Sequence, residues 1–233
     1  MFSFTVPCLI ITYKSRKINV LCNKIHVHFF SCILQSIGKE DSFSLNSLCI
    51  DVGSTFVKFF VYNGKEVLFA EKVKFPDPIL QNNTVYEISI KSIDILLDDI
   101  FEKTKAYCVT QCFISVQMHD YIIRDKNGVF GNCVSWKDTT ADIHTPLAKN
   151  IDFYKNGTSA KRNLPILKLL TVPPKDACEF FTLGSYIAYR LTGKNITHKT
   201  DGCASGFFDA ETLRPLSLLK NISLPKVTQK VIK

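Results

Sequence analysis

Leu48-Cys49-Ile50-Asp51-Val52-Gly53-Ser54-Thr55-Phe56-Val57-Lys58 decides how this chain folds. An apolar run ends in an acidic residue, a turn of glycine and small hydroxyl residues follows, and a second apolar run begins with Lys58 near its start. The two runs read as strands joined by a turn. Two chemical readings fit that turn. In one, Asp51 holds Mg²⁺ through water, since hard cations take oxygen ligands. Gly53 then admits a phosphate without a Cβ in the way, while Ser54, Thr55 and the turn's N–H groups donate to phosphate oxygens. In the other, Asp51 and Gly53 simply make a hairpin turn. Short motifs recur by chance, so this segment alone does not choose between them.

Downstream the pattern stays orderly. A second strand over residues 57–62 meets Asn63-Gly64, a strong hairpin signal, and a third strand follows over 67–73. Ile93, Leu96, Leu97, Ile100 and Phe101 recur at three- and four-residue spacing and predict an amphipathic helix over 85–105. Residues 109–116 read as another strand, leading into Gln117-Met118-His119-Asp120. A second hairpin turns at Asp125-Lys126-Asn127-Gly128 and ends near Trp136. Residues 143–162 are polar and irregular, and a short helix over 164–170 is stopped by Pro173-Pro174. Residues 180–191 read as one helix with Gly193 as its C-cap, and 197–206 as a loop of small and polar residues. The order of elements is that of an α/β domain without internal repeats.

Residues 1–46 read differently. Lys14-Ser15-Arg16-Lys17, His26-Val27-His28 and several aromatics occur without a clean period, so this segment is expected to be a poorly defined extension that adds little to the core. His26 and His28 have no acidic or cysteine partner at ligand spacing and read as surface histidines. Residues 47–233 form the domain proper. Met1 and Met118 are the only methionines.

At 233 residues, 46% apolar and 21% charged, the chain has the composition of a globular protein with one good core. Its net charge of +8 is spread as single lysines, with Lys161-Arg162 the strongest pair in the body. Such a spread suits a solvated surface and attraction to anionic metabolites. Zinc-finger spacing and interleaved basic–aromatic arrays are absent from the sequence, so nucleic acid is not an expected partner. Nine cysteines without a C-x-x-C pair argue for free thiols in a reducing compartment, hence a cytoplasmic protein. No apolar stretch reaches the roughly twenty residues that span a bilayer, and residues 2–13 lack the flanks of a signal peptide. A membrane is not an expected partner either.

Two further groups bear on chemistry. Gln117-Met118-His119 sits just after a strand, where open α/β sheets place ligand residues. A neutral imidazole there can hydrogen-bond a sugar hydroxyl, and Gln117 offers both donor and acceptor; the competing reading is a turn histidine with its needs met locally. Trp136-Lys137-Asp138 follows the second hairpin. An indole face packs on the C–H face of a sugar, and a nearby carboxylate accepts from its hydroxyls. A core tryptophan with Asp138 as a helix cap fits the same residues.

In combination these pieces say more. The order Asp51-Val52-Gly53-Ser54-Thr55, Gln117-Met118-His119, Trp136-x-Asp138, Tyr189-Arg190-Leu191-Thr192-Gly193, then Asp201-x-x-x-Ser205-Gly206-x-x-Asp209 resembles the N-terminal domain of the FGGY carbohydrate kinases. That family belongs to the actin-like ATPase superfamily, whose domains have a ribonuclease H-like mixed sheet with helices. The resemblance runs from about Leu48 onward and is strongest to xylulokinases, with gluconate kinases a weaker match. It implies ATP and Mg²⁺ as cofactors, with Asp51, Gly53, Ser54, Thr55 and Lys58 facing them and Asp51 serving the metal. It also implies a small-molecule sugar substrate touched by Gln117, Met118, His119, Trp136 and Asp138.

The sequence departs from the family in three places. Trp136-Lys137-Asp138 stands for the usual Trp-Asn-Asp, and Leu183-Gly184-Ser185 stands where relatives often carry Pro-Lys-Asp. The family's general base, an Asp in a Gly-Gly-Gly-Asp-type motif, has no counterpart in these residues. The resemblance therefore implies a truncated domain without a catalytic residue of its own, completed by a separate C-terminal half. Three hypotheses stand: a sugar kinase N-terminal domain, a non-catalytic sugar-binding or pseudokinase module, and an actin-like ATPase that is not a sugar kinase. Gln117-Met118-His119 and the 189–193 helix end argue against the third.

Overall fold

The protein is described by a computed structural model covering residues 8–12, 46–142, 144, 164–172, 174–209, 211–216 and 221–228. His26, His28, the 14–17 basic run, Lys161-Arg162, Pro173 and nearly all of 143–162 lie outside the described residues.

Ser47–Val52 (β2), Phe56–Tyr62 (β3) and Val67–Lys74 (β4) are consecutive antiparallel strands, as their patterning predicts. The tip between β3 and β4 is an Asx turn: Asn63 Oδ1 accepts from the N–H groups of Lys65 at 2.9 Å and Glu66 at 2.8 Å. Gln111–Val116 (β7) joins β2 in parallel, with Asp51 opposite Ser115 and Val52 opposite Val116. Leu48, Ile50 and Val52 are buried, as are Cys49 and Phe113 on the other face. Central strands covered on both sides read as continuous apolar runs for this reason. Cys8–Thr12 (β1), from the segment expected to add little, pairs antiparallel with β7 and sets the first sheet's order as β1-β7-β2-β3-β4.

A second sheet, all antiparallel, has the order β10-β8-β9-β6-β5. Its strands are Pro78–Gln81 (β5), Tyr86–Ile88 (β6), Tyr121–Asp125 (β8), Cys133–Val134 (β9) and Ala177–Thr182 (β10). Two expectations are corrected by it. The helix expected from 85 runs Ile90–Lys105 (α1), because Glu87 and Ile88 pair with β9 instead. Its buried positions, Ile93, Leu97, Ile100 and Thr104, keep the helical spacing. The helix expected over 180–191 divides at Thr182. Phe180 and Phe181 pair with β8, and Thr182 then caps Leu183–Thr192 (α3) by accepting from Ser185 N at 3.0 Å. Gly193 ends α3 at φ 70°, a left-handed conformation that glycine adopts without strain.

Pro165–Thr171 (α2) starts with proline in its first turn. The stretch expected as a loop over 197–206 holds Ile196–His198 (β11), paired in parallel with Lys226–Thr228 (β12), and the short helix Lys199–Ala204 (α4). One apolar core joins the first sheet to α1 and α3. A second, built on Leu164, Ile166, Leu167, Phe180, Phe207 and Phe208, packs α2 against the second sheet. No helix among the described residues is long and apolar enough to cross a membrane.

Candidate functional site

Sheet pairing places Asp51 at the end of β2, opposite Lys58 of β3 on one side and Ser115 of β7 on the other. Lys58 Nζ lies 3.6 Å from Asp51 Oδ2, with the two side chains 47% and 23% exposed. Burial pushes the Asp51 carboxyl above its ordinary range, against the pull of Lys58 and a hydrogen bond from Ser115. The turn that follows is held by Gly53 N donating to Phe56 O at 3.1 Å, and Thr55 O accepts from Phe75 N at 2.9 Å. A Cβ on Gly53 would sit 3.1 Å from that same Phe56 oxygen, so the close turn favours glycine. Ser54, Thr55 and Lys58 face solvent around it.

Gln117 N donates to Val52 O at 3.1 Å, which fastens the end of β7 to the residue between Asp51 and Gly53. Parallel pairing of β2 and β7 puts both segments at one sheet edge. Met118 is exposed there, and His119 is partly buried with φ 72°. A non-glycine residue held in the left-handed region carries local strain, a feature that concentrates at ligand-binding loops.

The second sheet completes the edge. Tyr121 of β8 pairs with Val134 of β9, so the residue before β8 lies beside those following β9. Asp120 and Trp136 thereby meet: Trp136 N donates to Asp120 Oδ1 at 2.6 Å. The Trp136 indole, 37% exposed, donates through Nε1 to Gln117 Oε1 at 3.0 Å. Gln117 Nε2 in turn donates to Asp120 Oδ2.

Asp138, expected to line the sugar pocket, is buried, and its oxygens are engaged within the protein. Its oxygens accept from Tyr86 N and Thr140 N at 3.0 Å each and from Thr140 Oγ1 at 2.5 Å. Lys168 Nζ stands 3.7 Å away, and the two side chains are 3% and 2% exposed. Lys168 also donates to Ser135 O at 2.8 Å, and burial lowers its pKa to about 8.

Sequence reasoning missed Asp120, Lys168 and Ser115. Asp120 is 1% exposed and burial raises its pKa to about 7. The available signal was a lone lysine inside the apolar run 164–170 and an acid directly after Gln117-Met118-His119. Neither Asp201 nor Asp209 reaches the edge as a free carboxylate. Asp201 is buried, accepts from Thr197 Oγ1 at 3.2 Å, and has its pKa raised to about 6 by burial. Asp209 accepts from Glu211 N, Thr212 N and Thr212 Oγ1 in its own turn.

The donor set bears on magnesium. Among the described residues no group of three or more His, Cys, Asp or Glu is placed to hold a metal ion. A single carboxylate at the edge fits an ion that keeps most of its water and is carried by phosphates, which is how Mg²⁺ commonly sits beside nucleotides.

Comparison with protein-family models finds no match, and comparison with curated proteins finds none either. Solved structures do match. A ligand-bound xylulose kinase from Lactobacillus acidophilus aligns with TM-score 0.66 and 24% identity, covering 81% of this chain and 43% of that one. A gluconate kinase from Lactobacillus acidophilus gives TM-score 0.66 and 24% identity over 79% of this chain and 42% of its own. Glycerol kinase from Plasmodium falciparum, solved with ADP, gives 0.60 and 18% over 80% and 44%. The chain thus spans less than half the length of the kinases it matches. Its mixed sheet with few helices has the fold of the N-terminal domain of sugar kinases of the actin-like ATPase class.

Proposed function

We propose that this chain is the phosphate- and sugar-facing part of an FGGY-family carbohydrate kinase, xylulokinase-like in its pocket. The reaction is transfer of the γ-phosphoryl group of ATP to a sugar hydroxyl. The observation that carries the reading is the hydrogen bond from Gln117 N to Val52 O, which sets the turn after Asp51 beside Gln117-Met118-His119. Phosphate-binding and sugar-binding candidates that lie far apart in sequence are thereby neighbours. Asp51 serves Mg²⁺ through water, while Gly53, Ser54, Thr55 and Lys58 receive the nucleotide's phosphates. Met118, His119, Gln117 and Trp136 receive the sugar, the indole offering its face and the polar groups their hydrogen bonds. ATP and Mg²⁺ supply the phosphoryl group and its charge neutralisation, and the cytoplasm supplies both.

A second reading, a sugar-binding module without turnover, is favoured by the carboxylates: Asp120, Asp138 and Asp201 are buried and engaged by internal donors. Loss of a positioned general base typically costs a factor of about 10² to 10⁴. In-line transfer also needs both sides of the nucleotide held, and a separate C-terminal half is the partner that would close the second side.

Titration with D-xylulose, read through the single tryptophan, tests both. Saturable binding, weaker for D-gluconate, is the expected result. A wild-type chain that binds no D-xylulose, D-gluconate or glycerol overturns the sugar-kinase reading. A coupled assay then separates the two classes: the 233-residue chain alone is expected to bind sugar without ATP turnover. Sugar-stimulated turnover lost in Asp201→Asn or Asp209→Asn would reassign the base to this chain.

A further inference from the structure

Asp120, Gln117 and Trp136 form a closed loop of hydrogen bonds. Each link has a fixed sense. An indole N–H only donates, so Gln117 must turn its oxygen toward Trp136. That leaves the Gln117 amide nitrogen facing Asp120, where an ionised carboxylate accepts it. The other Asp120 oxygen takes the Trp136 backbone N–H at 2.6 Å and returns the loop to its start. Gln117 follows β7 of the first sheet, Trp136 follows β9 of the second, and Asp120 immediately precedes β8. The loop therefore spans both sheets at the sugar-facing edge.

We propose that Asp120 is a positioning residue whose buried carboxylate locks the Gln117 amide and the Trp136 indole into one rigid wall of the sugar pocket. The inference rests on the sugar-kinase reading above for the identity of the ligand, and on the hydrogen-bond loop alone for the rigidity. Asp120 itself is buried beneath the edge and touches no sugar. It acts through the two side chains that do. Its main-chain oxygen separately accepts from Leu183 N at 3.1 Å, a contact that side-chain substitution leaves in place.

The chemistry makes Asp120→Asn a sharp probe. An asparagine has one acceptor oxygen and one donor nitrogen where the loop needs two acceptors. It can take Trp136 N or Gln117 Nε2, not both. If the Gln117 amide flips to suit it, the glutamine nitrogen then faces the indole N–H, donor to donor. One link is lost in every arrangement. Gln117→Ala opens the same loop from the solvent side and spares the buried core.

The test uses the full chain, with Trp136 as its only tryptophan. Acrylamide quenching of its emission and D-xylulose binding are measured for wild type, Asp120→Asn and Gln117→Ala, with circular dichroism to confirm folding. In both variants quenching is expected to increase, and the D-xylulose dissociation constant to rise about tenfold, as when a pre-organised wall becomes mobile. Increased quenching with unchanged sugar affinity overturns the positioning role and leaves the loop a structural contact. Unchanged quenching in a folded variant overturns the rigid wall. If Asp120→Asn does not fold, Gln117→Ala decides by quenching alone, because Gln117 itself meets the sugar: increased quenching supports the rigid wall and unchanged quenching overturns it. A wild-type chain that binds no sugar instead overturns the sugar-kinase reading, and the positioning role falls with it.

Discussion

Two lysine–aspartate pairs in this chain have nearly the same separation and opposite settings. Lys58 and Asp51 are 3.6 Å apart at the sheet edge, with side chains 47% and 23% exposed; Lys168 and Asp138 are 3.7 Å apart under the second sheet, 2% and 3% exposed. The edge pair is partly exposed, and its carboxylate is met by Lys58 and Ser115. The buried pair is tied down on every side: Asp138 by Tyr86 N and Thr140, Lys168 by Ser135 O. Distance alone does not decide what a charge pair is for. The number of internal donors around the carboxylate does, because a carboxylate whose lone pairs are already taken has little to offer a ligand.

The largest effect follows from the buried pair. Removing one partner of a buried ion pair strands the other charge and costs about 3–5 kcal/mol. Lys168→Met strands Asp138, and Asp138→Ala also leaves the N–H groups of Tyr86 and Thr140 without their acceptor. Each is expected to lower Tm by roughly 10 °C, or to leave the chain unfolded at 37 °C, given that whole domains are stable by only about 5–15 kcal/mol. Because Asp138 also serves two backbone groups, the double variant Lys168→Met with Asp138→Leu should stay destabilised, unlike ion pairs that tolerate apolar replacement. Thermal melts of the three variants check this. A double variant as stable as wild type would show that the comparison rests on charge alone.

The second prediction concerns pH, and its sign is unusual. Burial raises the folded pKa of Asp120 to about 7 and of Asp201 to about 6, both above the unfolded value. Between about pH 4 and those values the native state binds more protons than the unfolded state, so stability falls as pH rises. Lys168 runs the other way: with a folded pKa near 8, it loses a proton that the unfolded chain keeps to about pH 10. Stability contributed by these groups therefore rises again above pH 8 and is lowest between about 7 and 8. Urea midpoints across the range test it, with Asp120→Asn as the reference, which should lack most of the acid-side slope. Identical profiles for wild type and Asp120→Asn would remove Asp120 from the account.

What was legible in the sequence divides along the same line. The edge was readable because its signals are local. An apolar run, an acid, a glycine turn and Asn63-Gly64 fix β2, β3 and β4 through backbone geometry that needs no distant partner. The interior was not. Asp138 read as a pocket residue because it stands two positions after Trp136, which read as one too, and nothing in the sequence shows that Tyr86 N and Lys168 wait on its other side. Phe180 and Phe181 read as helix because α3 follows without a break; only pairing with Ile122 and Ile123 of β8 makes them strand. Glu87 and Ile88 were lost to the expected helix for the same reason, since their partners in β9 lie some 46 residues on by the pairing of Glu87 with Val134 and Ile88 with Cys133. Asp120 was visible yet uninterpretable, because its role depends on Gln117 and Trp136 meeting across two sheets.

The smallest effect on stability belongs to the edge pair, and its sign is the informative part. Asp51 has its carboxyl pushed above the usual range, burial outweighing the help from Lys58 and Ser115. A group whose folded pKa exceeds its unfolded one is, at neutral pH, a net cost to the fold. Asp51→Asn removes the charge and keeps the shape, so the attraction lost from Lys58 is offset by the burial penalty relieved. Partly exposed pairs contribute about 0–1 kcal/mol, and the expected change is therefore near zero or slightly stabilising, by less than about 1 kcal/mol. Urea denaturation at neutral pH measures it. In the same variant the effect of Mg²⁺ on ATP binding, followed by calorimetry, is expected to disappear while D-xylulose binding stays, because the residues proposed to receive the sugar follow β7 and β9 and not β2. On the reading proposed above, Asp51 offers that carboxylate to the metal. Clear destabilisation with unchanged Mg²⁺ dependence would place Asp51 with Asp138 as architecture, and the contrast between the two pairs would be gone.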